Sequence, residues 1–203
     1  LPIGGTVFAE VAIFSGVGLV MAKYPSLVIA SHQAAMNFSN LMHAFPLSIS
    51  SAMAIIISYE FGARRMDAVK SYSKLGRFTA LGFSIFTLIF LYFLRYDLAE
   101  LYGHEPDFLR MTAIFMTYSL FFQVADVFAA PLQGILRGYK DTKVPFYLGV
   151  LAYWGITFPV GFLLEKVAGL GPYSYWIGLI ASLIVSGLCY QWRLNKIVKR
   201  YES

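Results

Sequence analysis

Two carboxylates, Glu10 and Asp126, lie inside long apolar stretches of this 203-residue chain. A charged group at the centre of a bilayer costs about 2.5–3.5 kcal/mol on insertion scales, and such groups persist mainly where they line a pathway, bind an ion or carry a proton. Carboxylate oxygens suit a hard cation such as Na⁺, and a carboxyl in an apolar site also takes up a proton. The pair therefore points to ion-coupled transport, with Glu10 and Asp126 handling Na⁺ or H⁺.

The elements that must hold these acids are membrane helices. The chain is 58% hydrophobic and only 13% charged, against roughly 25% charge in an ordinary soluble domain. Its apolar residues fall in long runs, giving six expected spans at 2–22, 27–58, 74–94, 108–136, 144–164 and 173–193. The second and fourth exceed the roughly 20 residues needed to cross, so tilting, kinking or continuation beyond the lipid is expected. The fold class is an all-α membrane protein, a single transmembrane unit over 1–203 with a basic tail at 194–203.

The formal net charge of +5 is a topology signal and not a nucleic-acid surface. Segments 60–78, 137–143 and 193–203 hold twelve of the sixteen Lys and Arg residues, while the alternate connections hold only Lys23, Arg95, Arg110 and Lys166. Positively charged loops stay on the cytoplasmic side, which puts both chain ends in the cytoplasm of a multi-pass protein of the cell membrane. Cys189 is the only cysteine, so an intrachain disulfide and a cysteine-based metal site are excluded. A chain opening at Leu1 with no basic stretch before its first apolar run reads as lacking a signal peptide and as a piece of a longer protein.

Within the first span, Gly4, Gly5, Gly16 and Gly18 offer small surfaces for close packing, and Glu10 sits roughly 12 Å along the axis. The second span carries a polar stripe of Gln33, Asn37 and Asn40, beside His32, Ser39 and His43. Lipid would leave those amides without partners, so Gln33 and Asn37 are expected on a wet cavity or against other helices. Pro46 frees the carbonyl of Met42 and favours a kink. In the fourth span Ser119, Gln123, Asp126, Ala130, Gln133 and Arg137 share one helical face. Pro131 releases the Val127 carbonyl beside Asp126. Asp126 and Arg137 are separated by about 16 Å of axial rise, too far to pair directly. Trp154, Trp176 and Trp192 are candidate interface anchors.

Two blocks carry a family resemblance. One is Ala30-Ser31-His32-Gln33-Ala34-Ala35-Met36-Asn37-Phe38-Ser39, followed by Phe45-Pro46-Leu47-Ser48-Ile49. The other is Asp126, then Gln133-Gly134-Ile135-Leu136-Arg137-Gly138-Tyr139-Lys140-Asp141-Thr142, continuing through Tyr153-Trp154 to Pro159-Val160-Gly161-Phe162. Together they resemble the multidrug and toxic compound extrusion (MATE) family, in its NorM-like branch, over nearly the whole chain. The likeness is to the second, C-terminal lobe of a two-lobe (6+6) transporter. It implies a missing N-terminal six-helix lobe as partner, export of organic cations or drugs, alternating access, a bacterial inner membrane, and Na⁺ or H⁺ as coupling ion with no other cofactor. Glu10 and Asp126 fall where NorM-like proteins carry the acids of a second-lobe cation site. Phe122 stands where some Na⁺-coupled members carry Tyr, and its phenyl ring supplies no oxygen ligand.

On this reading Gln33, Asn37 and Gln123 supply hydrogen bonds to the cavity, while Phe121, Phe122 and Tyr153 offer aromatic contact for flat cations. Three other readings compete with it. A lipid-linked precursor flippase of related architecture calls for buried basic residues, whereas the buried charges here are acidic. An intramembrane enzyme built on Ser39 and His43 lacks a strained nucleophile turn and an oxyanion donor. A non-transporting membrane subunit predicts that neutralising both acids changes little beyond stability. Because the cargo cavity of such a transporter lies between lobes, the chain expressed by itself should show no gradient-driven efflux of an organic cation from vesicles. Robust efflux from it would overturn the one-lobe reading.

Overall fold

The computed structural model describes residues 2–202, with side chains described at positions 4, 5 and 8–201. Leu1 and Ser203, the outermost residues of the expected unit and tail, lie outside them. Six helices follow in order: α1 (Pro2–Met21), α2 (Ser26–Gly62), α3 (Met66–Glu100), α4 (Pro106–Gly138), α5 (Lys143–Val167) and α6 (Tyr173–Glu202). Helices α2 to α6 are long and apolar enough to cross a membrane, and Phe8–Met21 of α1 forms a shorter apolar helix. Every helix except α1 runs past its expected apolar stretch at one end or both. The basic segment before residue 74 is the start of α3, and residues 194–202 of the expected basic tail form the last turns of α6. Leu194 and Ile197 are buried there, and the Tyr201 ring packs against Phe61 and Tyr139.

Helix α4 is the centre of the bundle. It packs on α2, α3 and α6, with the α2 contact the most extensive in the fold, and α5 pairs with α6. Two glycines set these distances. A Cβ on Gly134 of α4 would lie 2.2 Å from the Ser50 carbonyl oxygen of α2, and one on Gly178 of α6 would lie 2.4 Å from the Thr157 carbonyl oxygen of α5. Backbones this close admit no side chain, so hydrogen at these positions is what allows the helices to touch. Helix α1 leans on α5 through Gly5 and Gly16, which face the rings of Phe146 and Phe158. Helix α3 buries Gly76, Ala80 and Ser84, one turn apart, and presents Phe78, Ile85, Phe86, Ile89, Phe90 and Phe93 outward. A small-residue stripe inward and large apolar residues outward is the pattern of a helix packed on a bundle with its other face in lipid.

The two ends of the bundle are tied differently. At the end rich in Lys and Arg, α2 and α4 stop in the same way, with Arg64 (φ 59°) and Lys140 (φ 63°) in left-handed conformation. The next residue's N–H then reaches five residues back, from Arg65 to the Glu60 carbonyl and from Asp141 to the Leu136 carbonyl, which satisfies carbonyls that a helix end leaves bare. Arg65 Nε donates to Glu60 Oε2 at 2.6 Å, and Arg193 Nε donates to Asp141 Oδ2 at 2.6 Å. At the opposite end Glu165 of α5 accepts from Lys23 Nζ and from the Tyr175 hydroxyl of α6, both at 2.6 Å, and also from the Tyr24 hydroxyl. This cluster fastens the α1–α2 turn to α5 and α6.

Trp176 departs from its expected place at an interface. It is fully buried, donates through Nε1 to His32 Nδ1 at 3.2 Å and meets Phe115 and Phe122. An indole whose N–H has a partner is a core residue, and its burial supports the α2–α4–α6 junction. Trp154 and Trp192 are exposed. The close approach at Gly134 makes a direct prediction. Gly134→Ala should destabilise the protein by about 1–3 kcal/mol through overpacking, read as a lower thermal midpoint in detergent. Gly82→Ala, with nothing within 4 Å, should leave that midpoint the same or raise it slightly, since Ala is the better helix former.

Candidate functional site

The polar face of α4 is aimed at α1 and α2. Asp126 Oδ2 lies 2.6 Å from His43 Nδ1 of α2. Gln133 Nε2 donates to Glu10 Oε1 of α1 at 3.3 Å, and the Tyr153 hydroxyl of α5 donates to the same oxygen at 3.0 Å. Arg137 Nη2 donates to Gln133 Oε1 and to Ser50 Oγ, each at 2.8 Å. Arg137 and Asp126 are not joined directly; the guanidinium reaches the acids through Gln133, which links it to Glu10. Ser119, on the same face, bonds back to the Met116 carbonyl of its own helix.

Two small adjoining cavities meet at Glu10, His43, Asp126 and Tyr153. The first continues among Phe14, Phe122, Leu179 and Leu183, an apolar and aromatic wall. The second continues toward Ser50, Gln133 and Tyr190. Asp126 is buried, with its side chain 7% exposed, and His43 is 28% exposed. Two acids, one imidazole and one guanidinium therefore share a site inside the helix bundle. An array of this kind can exchange a proton or a small cation for a larger cation, because each carboxylate needs a positive or hydrogen-bonding partner when water is scarce.

The expected site residues divide. Glu10, Asp126, Phe122 and Tyr153 come together. Gln123 is buried beside them, yet its Nε2 donates to the Met42 carbonyl at 3.4 Å. That is the carbonyl whose intrahelical partner Pro46 removes, so the amide repairs a break in α2 and does not reach into the cavity. Gln33 and Asn37 lie elsewhere. Together with Asn40, Tyr102 and Phe108 they line an open groove, because the stripe points away from the α2–α4 contact. Phe121 is 56% exposed and lines neither cavity; it projects from the side of α4 opposite the core.

His43 is the residue of this cluster that the sequence left without a place among the candidate site residues. It stands one turn after Ser39 and three residues before Pro46, which marked it as polar and bundle-facing. That it meets Asp126, 83 residues away, is a product of the α2–α4 packing, and nothing local encodes it. Tyr190, which closes the second cavity from α6, carried no sequence signal.

A family model described as MatE matches residues 2–163. A protein of Streptococcus pneumoniae strain R6, described as "Probable multidrug resistance protein NorM", is 68% identical over the whole chain, and a Bacillus subtilis strain 168 protein of the same description is 45% identical. The chain spans about 45% of the length of each of these curated relatives. Among solved structures, the eukaryotic MATE transporter AtDTX14 superposes with a TM-score of 0.88 at 16% identity, over 98% of this chain and 46% of that one. That likeness shows the fold.

The two glutamines should separate in a stability measurement. Gln123→Leu leaves the Met42 carbonyl buried without a donor and should cost about 1–3 kcal/mol. Gln33→Leu, in the open groove, should leave thermal unfolding in detergent unchanged. Equal losses at both positions would remove the carbonyl-repair role from Gln123.

Proposed function

The chain belongs to the MatE family, and on that premise we propose that it is the C-terminal six-helix lobe of a cation-coupled multidrug efflux antiporter, exporting organic cations against inward movement of Na⁺ or H⁺. The family is one of transporters and not of enzymes, and the chain is a multi-pass, all-helical membrane protein. The observation that carries the finer reading is the meeting of Glu10 and Asp126 inside the bundle, on a shared cavity with an aromatic wall. With the acids ionised, the cavity attracts either an organic cation or the coupling ion. Binding of the coupling ion from outside offsets the negative charge of the acids and releases the cargo. Phe122 and Tyr153 supply aromatic faces for a flat cation.

The other lobe supplies the second wall of the cargo path. The chain's coverage of about 45% of its relatives supports a missing lobe, and the exposed amides of Gln33 and Asn37 suit a surface facing it across a wet cavity. Cargo with a pyrophosphate is disfavoured, since the two cavities are lined by the acids Glu10 and Asp126 and by neither Lys nor Arg. The charge asymmetry of the two ends supports a cytoplasmic location for both termini.

The test uses the lobe joined to an upstream lobe, reconstituted in vesicles with a fluorescent organic cation inside and Na⁺ or H⁺ gradients imposed separately. Asp126→Asn and Glu10→Gln should each lower gradient-driven efflux by roughly 10-fold or more, as expected when a group acting directly in the exchange step is removed. Efflux that survives both substitutions in folded protein would remove the two acids from the mechanism.

A further inference from the structure

His43 is a member of this cluster to which the exchange reading gives no task. Its Nδ1 stands 2.6 Å from Asp126 Oδ2, on an atom that a coupling cation would otherwise use. We propose that His43 is the resident cation of the site, holding Asp126 through Nδ1 while its Nε2 takes up and releases the coupling proton, so that this lobe is coupled to H⁺ and not to Na⁺. The proposal rests on the exchange reading of Glu10 and Asp126.

Three features of the site support this assignment. The first is tautomer chemistry. An imidazole that donates Nδ1–H to a carboxylate keeps that bond whether the ring is neutral or charged, and the gained or lost proton resides on Nε2. His43 can therefore change charge without letting go of Asp126.

The second is charge. The titratable and charged groups around His43 are Glu10 from α1, Asp126 from α4, Tyr153 from α5 and Tyr190 from α6. Arg137 of α4 is linked to them through Gln133. With both acids ionised and Arg137 charged, an imidazolium brings the cluster to zero, and a neutral imidazole leaves it at minus one. Neutrality is the state that a site inside a bundle sustains at least cost. The minus-one state is the one that draws in a single organic cation.

The third is ligand type. Na⁺ is a hard ion and seeks oxygens, but the Oδ2 atom of Asp126 is already taken by the imidazole nitrogen of His43, and Phe122 brings a phenyl ring to the shared cavity beside the hydroxyls of Ser182 and Tyr153. The Glu10 Oε1 atom is already approached by two donors, from Tyr153 and Gln133.

The experiment again uses the two-lobe protein. Unsubstituted protein in weakly buffered detergent solution should release protons when a monovalent organic cation is added, and should release none on addition of NaCl. In vesicles, efflux should follow the pH gradient and ignore the Na⁺ gradient, and His43→Gln should reduce the pH-driven rate by roughly 10-fold or more. Efflux driven by Na⁺, full pH coupling retained in His43→Gln, or cargo binding without proton release would each overturn the His43 assignment and leave the acids' role intact. The proton-release measurement needs no variant, so a His43→Gln protein that failed to fold would not shield the proposal. No efflux under either gradient from protein shown to be folded would sink the exchange reading and this inference with it.

Discussion

An ionised carboxylate inside a helix bundle must be met by positive charge or by donors, and the placement of the other polar groups here follows from that requirement. Asp126 is met by His43, and Glu10 by Tyr153 and Gln133. These partners arrive from α2, α4 and α5, so the two acids can be satisfied only when four helices are in register. The cost of leaving either acid bare, several kcal/mol, acts as a constraint on how those helices pack. The site is thus part of what specifies the fold, as well as something the fold displays.

Packing supplies the register. Helix α4 is the most buried of the membrane helices and carries both the acid and the glycine at which α2 comes closest. Gly134 and Gly178 fix the α2–α4 and α5–α6 distances at backbone contact, where a single methyl group is an intrusion. Between them, Trp176 fills the junction with an indole whose N–H is satisfied by His32. Dispersion and shape do here what the hydrophobic effect does in water, since lipid gives apolar side chains no reason to leave it. The contrast with α3, whose outer face is a row of phenylalanines and isoleucines, marks which side of the bundle needs no such fit.

Much of this was legible in the sequence. The apolar runs located the helices, the Lys and Arg bias sorted their ends, and the spacing from Ser119 to Arg137 identified one face of α4. The two blocks around Gln33 and Gln133 carried the family. What the sequence could not express was pairing across distance. The spacing of Gln33 and Asn37 revealed a stripe but not the direction in which it pointed, and Gln123 resembled them in type while serving a backbone carbonyl. Phe121 and Phe122 are adjacent, so one had to face away, and only packing decides which. The helices run on past the expected spans because hydropathy stops at the lipid boundary, whereas hydrogen-bonding continues into basic residues such as Lys196 and Lys199. Trp176 was misplaced for the related reason that an indole suits both an interface and a core with a partner for its N–H.

The break in α2 at Pro46 has one more implication. The Met42 carbonyl it releases is taken by Gln123, and the adjacent residue, His43, is held by Asp126. Both fastenings run from consecutive residues of α2 to the same stretch of α4, one to an amide and one to a carboxyl group. The shape of α2 at its weakest point and the charge on Asp126 are therefore not independent variables. A change in what Asp126 binds removes one of two pins from a helix already missing a rung, while the other pin keeps the segment in place. Chemistry at a single carboxylate is in this way geared to the geometry of a 37-residue helix.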